Sequence, residues 1–146
     1  MWNEITSQEK IQEFLEYINH FHDSCIKELK YISGAYVTER RSMYPVNDRR
    51  TLNVLIQSQY AGCSMVELEY RGLKHLRLFP ADERYTCEIL DSTLVLYNGD
   101  IYWTDSGDVS MEELDDYEGT VVCATELRWR PIEGYLGNRE LYRSVF

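Results

Sequence analysis

The chain is short of the residues on which many chemistries depend. It holds three histidines and four cysteines in 146 residues. Cys25, Cys63, Cys87 and Cys123 form no CxxC pair, which excludes a zinc ribbon and a thioredoxin-like motif. HExxH, GxGxxG and GxxxxGK[ST] are absent, so zincin, dinucleotide and P-loop readings have no motif behind them. Gly62-Cys63-Ser64-Met65 lacks the closing glycine of a nucleophile elbow. No run approaches the roughly 18 apolar residues of a membrane-spanning helix. Met1 to Lys10 has no basic stretch leading into an apolar one, so no signal peptide is expected and the localisation expected is cytoplasmic. Cys25, Cys87 and Cys123 lie in strand-like runs and read as reduced, buried thiols.

Basic residues are scarce too. Fifteen Lys and Arg face 25 Asp and Glu, for a net charge of −10. Nucleic acids and anionic membrane surfaces are bound by clustered cations, so neither is an expected partner. What is present is ordinary globular material, 44% apolar and 27% charged. It is read as a single domain, 1–146, large enough to fold without disulfide or metal.

The charge is concentrated. Twelve acidic residues fall between Asp82 and Glu118 and only Arg84 opposes them, so the segment carries −11 and the remainder +1. Asp105, Asp108, Glu112, Glu113, Asp115, Asp116 and Glu118 form its dense end. One reading is a solvated face partly paired with Arg40, Arg41, Arg49, Arg50 and the C-terminal arginines. The other is a field that steers a basic protein partner.

Periodicity organises the rest. Thr6 and Glu9 fit a capping box. Ile11, Phe14, Leu15 and Ile18 make one apolar stripe, giving a helix over about Ser7 to Asn19. Period-two alternation then marks strands over Cys25–Ile32, Leu52–Ser58, Met65–Tyr70 and Leu73–Phe79, with Gly72 as a break. Further strands are expected over Tyr85–Asp91, Thr93–Tyr97, Ile101–Trp103 and Thr120–Trp129. Asn98-Gly99 is the strongest hairpin signal. Arg40 to Arg50 reads as a loop. Ser110 with Glu113 suggests a second capping box and a short acidic helix to about Tyr117. The tail, with Leu141, Tyr142, Val145 and Phe146, is expected to pack. No strand–helix–strand alternation appears, which argues against a doubly wound fold. The expected class is α+β: an N-terminal helix packed on a curved, mainly antiparallel sheet of about six to eight strands.

Few constellations carry chemistry. His20, His22 and Asp23, with Cys25 close by, are metal-ligand types. They define an alternative in which the chain is a small metal-dependent enzyme or metal-binding protein. Against it, His75 is the only other histidine, and the segment also fits a helix-to-strand junction closed by an Asx-turn. Glu67 and Glu69 share a strand face about 7 Å apart; solvation is the default for such a pair. Twelve of the nineteen aromatic residues are Tyr, which suits half-buried sheets and protein interfaces.

Phe21-His22-Asp23-Ser24, following a helix and opening a strand, resembles a feature of small uncharacterised bacterial proteins. The run from Val66 to Leu73 adds to the likeness. Some of those proteins are grouped with the immunity proteins of polymorphic-toxin systems. The resemblance covers roughly residues 20 to 79. It implies a cytoplasmic, non-catalytic protein, without cofactor, that binds and blocks a partner.

Overall fold

A computed structural model describes residues 1–143. Strand β1 (Asn3–Ile5) leads into helix α1 (Gln8–Tyr17). The helix cap is Ser7, not Thr6. Ser7 is extended, and its hydroxyl accepts the Lys10 N–H at 3.1 Å, which satisfies one free donor of the first turn. Ile11, Phe14, Leu15 and Ile18 are buried as one stripe. Phe14 packs on Trp129 with ring centroids 4.7 Å apart.

The strands follow as β2 (Ser24–Ile32), β3 (Tyr36–Val37), β4 (Met43–Tyr44), β5 (Thr51–Ser58), β6 (Met65–Arg77), β7 (Thr93–Tyr97), β8 (Asp100–Thr104) and β9 (Val121–Pro131). The main sheet runs β2-β5-β6-β9-β8-β7, and β1 pairs with β9. Strands β1 and β8 divide one edge of β9: β1 takes Leu127 to Trp129 and β8 takes Val121 to Ala124. Every pairing is antiparallel. The fold is therefore α+β, a helix packed on a mainly antiparallel sheet. Strands β3 and β4 form a separate two-stranded hairpin, of which β4 falls within the Arg40 to Arg50 segment expected to be a loop.

Three expectations about elements are corrected. Met65–Tyr70 and Leu73–Phe79 merge into one strand, β6, which ends at Arg77. Gly72 takes φ +64° without breaking the pairing register with β9, and the register shifts only beyond it, between Leu73 and His75, as a bulge at Lys74. Tyr85–Asp91 is not a strand. Only Ile89 pairs, with Ser24, while Tyr85 and Leu90 project into solvent. The helix after Ser110 reduces to one 3₁₀ turn, Met111–Glu113, and Ser110 makes no side-chain cap. Glu112, Glu113, Asp115 and Asp116 would repel one another at helical spacings of three and four. The Asn98-Gly99 hairpin is as expected, both residues at positive φ.

The Phe21–Ser24 motif has a structural account. Asn19, His20, Phe21 and Asp23 all take φ between 55° and 61°. Left-handed backbone costs about 1–2 kcal/mol for each non-glycine residue. Burial of Phe21 against Phe14 and Trp103 offsets that strain. The Ser24 hydroxyl donates to the Phe21 carbonyl at 2.5 Å and the His22 N–H to the Asn19 carbonyl at 2.9 Å, closing the reversal from helix to sheet.

The face of the sheet away from the core cluster is polar and covered by the tail. Glu67 and Glu69 stand opposite Arg130 and Arg128 across β6 and β9 and pair with them at 2.7 Å. They are not simply solvated, as the sequence suggested: Glu67 is buried and also accepts from Asn53 and the Tyr142 hydroxyl. Trp2 lies over both guanidinium groups, 4.4 and 4.5 Å away. The Leu141 and Tyr142 N–H groups donate to Glu28 at 2.9 and 3.0 Å, binding the tail to β2. Val145 and Phe146 lie outside the described residues.

Candidate functional site

The acidic residues converge on the loop Asp105 to Thr120, between β8 and β9. Asp105 differs from its neighbours. Its carboxylate accepts from the Tyr117 hydroxyl and from the Thr120 N–H, so it staples the loop and is not a free charge. Burial and the Asp105 charge together push the Tyr117 phenol well above its ordinary value, keeping that hydroxyl a donor. Asp108, Glu112, Glu113, Asp115, Asp116 and Glu118 are exposed.

What holds the loop is Arg77, at the end of β6. Its guanidinium donates to the carbonyls of Leu114 at 2.9 Å, Tyr117 at 2.7 Å and Gly119 at 3.3 Å. The cation is thus spent on backbone oxygens and neutralises no carboxylate directly. The sequence gives little warning of this role, since Arg77 precedes the acidic segment and lies 37 or more residues from the carbonyls it binds. In the segment from Asp82 to Glu118, only Asp82 and Asp100 form ion pairs among the described residues, with Arg84 and Lys74. The C-terminal Arg128 and Arg130 are engaged on the other face, with Glu69 and Glu67. Pairing with the scattered arginines therefore does not explain the dense acidic end.

Beside the loop lies a groove of about 630 Å³. It is lined by Ile26, Lys27, Glu28 and Leu29 of β2, by Leu78 and Phe79, by Glu88 and Ile89, and by Asp105 and Glu118. Leu78 and Phe79 are half exposed. A narrow cavity continues inward, sharing Ile26, Leu29 and Thr120 with the groove and lined also by Tyr70 and Trp103. The Tyr70 hydroxyl and the Trp103 indole N–H are buried and have no hydrogen-bond partner. Buried donors without acceptors are uncommon in folded proteins. The groove combines apolar side chains with more carboxylates than cations, a surface able to hold an apolar group beside a cation.

The alternative metal residues are placed differently. His22 Nδ1 and Asp23 form a 3.0 Å pair at the surface, while His75 lies on β6 opposite Cys123. Among the described residues no three His, Cys, Asp or Glu side chains come together as a metal-binding group. Burial raises the Cys25, Cys63 and Cys123 thiols above their ordinary values, which suits inert side chains. Cys87 is exposed, contrary to its expected burial, because its segment meets β2 only at Ile89. No helix among the described residues is long and apolar enough to cross a membrane.

Comparison with protein-family models, curated proteins and solved structures gives no match to this chain. Functional inference therefore rests on the chemistry of these surfaces.

Proposed function

We propose that this chain is a non-catalytic protein-binding domain that captures a basic partner protein on the loop Asp105 to Glu118 and the groove beside it. The observation carrying the proposal is that six exposed carboxylates of this loop have no ion pair among the described residues, while the loop is pinned by carbonyl bonds to Arg77. Unpaired like charges held close together repel and weaken the fold. A basic partner relieves that repulsion and accelerates its own encounter. The groove supplies apolar area, which carries affinity where charge alone gives mainly rate and specificity.

An immunity-like role, in a bacterial cytoplasmic protein that blocks a toxin, fits this mode of binding and the Phe21–Ser24 resemblance. The test is co-purification with the products of the genes flanking this one, at low and high salt. The expected result is salt-sensitive retention of a basic flanking product. Retention falls in the D115N/D116N variant and is unchanged in His22→Ala. If no flanking product is retained, or the neutralised variant retains it equally well, the reading fails.

A further inference from the structure

The hairpin from Gly34 to Arg50 is the molecule's other unpartnered surface. Strands β3 and β4 pair only with each other, apart from the main sheet. Tyr36, Val37 and Met43 are each more than half exposed. Tyr36 and Tyr44 stack with centroids 5.0 Å apart. The Thr38 N–H donates to the Ser42 carbonyl and the Arg41 N–H to the Thr38 carbonyl, so the tip is tied and presents Arg40 and Arg41 outward. Its base is tied by the Arg49 and Arg50 N–H groups, both donating to the Ser33 carbonyl. None of these four arginines forms an ion pair among the described residues.

The chain thus carries an ordered finger with exposed apolar side chains and a tip where Arg40 and Arg41 outnumber Glu39, and also a groove of mixed lining in which Glu28, Glu88, Asp105 and Glu118 outnumber Lys27. Neither finds its complement within the described part of the same molecule. Contiguous exposed apolar surface bordered by charge marks a binding site more often than chance. We infer that the groove is occupied by the β3–β4 hairpin of a second copy of this chain. Tyr36, Val37 and Met43 lie along the walls of Ile26, Leu29 and Phe79, and Arg40 and Arg41 meet Asp116 and Glu118. The contact joins two different surfaces, so it is head-to-tail and each bound copy still offers a free finger and a free groove. A foreign basic partner that uses the same groove displaces the neighbouring copy. The inference rests on the proposed binding role of the groove, but not on any foreign partner existing.

A one-finger contact lies at the small end of specific interfaces, which bury about 1,200–2,000 Å² in total. The association is therefore weak and concentration-dependent. The test is sedimentation velocity on the full chain and on two surface variants, R40E/R41E and D116N/E118Q. All four positions are exposed, and circular dichroism checks that both variants remain folded. At low salt the wild type is expected to form dimers and larger species that disperse at high salt. Each variant alone is monomeric. An equimolar mixture forms a one-to-one dimer and nothing larger, because only one intact finger meets one intact groove. The inference is overturned if the wild type is monomeric at every salt and concentration. It also falls if either variant associates as the wild type does, or if the mixture remains monomeric. Salt-sensitive retention of a flanking basic product by a monomeric wild type would overturn this inference alone and leave the proposed function standing.

Discussion

Replacing Arg77 tests what holds the acidic loop in place. The guanidinium makes three bonds, to the carbonyls of Leu114, Tyr117 and Gly119, from a partly buried position. A hydrogen bond to a charged group contributes about 1.5–3 kcal/mol. The three carbonyls belong to a surface loop, so water recovers part of that loss when the side chain is cut. Arg77→Met keeps most of the side chain's apolar stem and is expected to lower unfolding free energy by about 2–3 kcal/mol. Arg77→Lys keeps the charge but not the planar fork, so it restores less than half. The assay is urea denaturation of the three proteins, with amide hydrogen exchange read at residues 114 to 120. Exchange there is expected to rise in both variants before any change in β5 or β6. A lysine variant as stable as wild type would refute the reasoning, because charge alone would then suffice. So would a methionine variant that loses less than about 0.5 kcal/mol.

Other consequences follow from the same geometry. Arg130→Ala leaves the buried Glu67 carboxylate without its cation; because Arg130 is half exposed and Glu67 keeps the Asn53 and Tyr142 donors, the expected cost is about 1–3 kcal/mol, below that of a fully buried pair, and the double change E67L/R130L costs less, a comparison made by thermal and urea melts. Gly72→Ala places a Cβ about 2.1 Å from Thr125 Oγ1 at a φ of +64°; a loss of roughly 1–3 kcal/mol is expected, read as a fall in urea midpoint. Burial alone would raise the Glu28 carboxyl, but the Leu141 and Tyr142 N–H bonds hold it below its ordinary value. A carboxyl lowered in the folded state stabilises above its unfolded value and loses that contribution as pH falls through the folded one. Exchange at the tail is therefore expected to rise in acid below about pH 4, and Glu28→Gln should remove that dependence. Tyr70, Tyr117 and Tyr142 are all raised, chiefly by burial. Their stabilisation is complete below the unfolded phenol value near pH ~10 and declines above it, so a titration of stability should turn downward there.

Much of the fold is legible in the chain because it depends on local periodicity. The stripe from Ile11 to Ile18, the alternation of Leu52, Val54 and Ile56, and the Asn98-Gly99 turn each specify their element within a few residues. The errors come where a distant partner decides. Gly72 reads as a break, but pairing with β9 carries the strand through it. Ser110 and Glu113 read as a capped helix, but repulsion among neighbouring carboxylates and the pull of Arg77 on three carbonyls leave only a single turn. Glu67 and Glu69 read as solvated, since nothing nearby announces that Arg130 and Arg128 arrive opposite them from more than 50 residues away. For the candidate site, the acidic cluster itself is plain in the sequence. The groove, the orphaned Tyr70 and Trp103 donors and the clamp by Arg77 are products of tertiary structure. Asp105 reads in the sequence as one more free charge and is instead the staple of the loop.

The proposed function requires that the unpaired carboxylates of the loop, together with the groove, bind a basic protein. It is tested most directly by the dissociation constant for the retained flanking product, measured by calorimetry at low and high salt with wild type and D115N/D116N/E118Q. Removing three exposed charges contributing about 0.2–1 kcal/mol each should weaken low-salt binding roughly tenfold and flatten its salt dependence. An unchanged constant with an unchanged salt dependence would contradict the account.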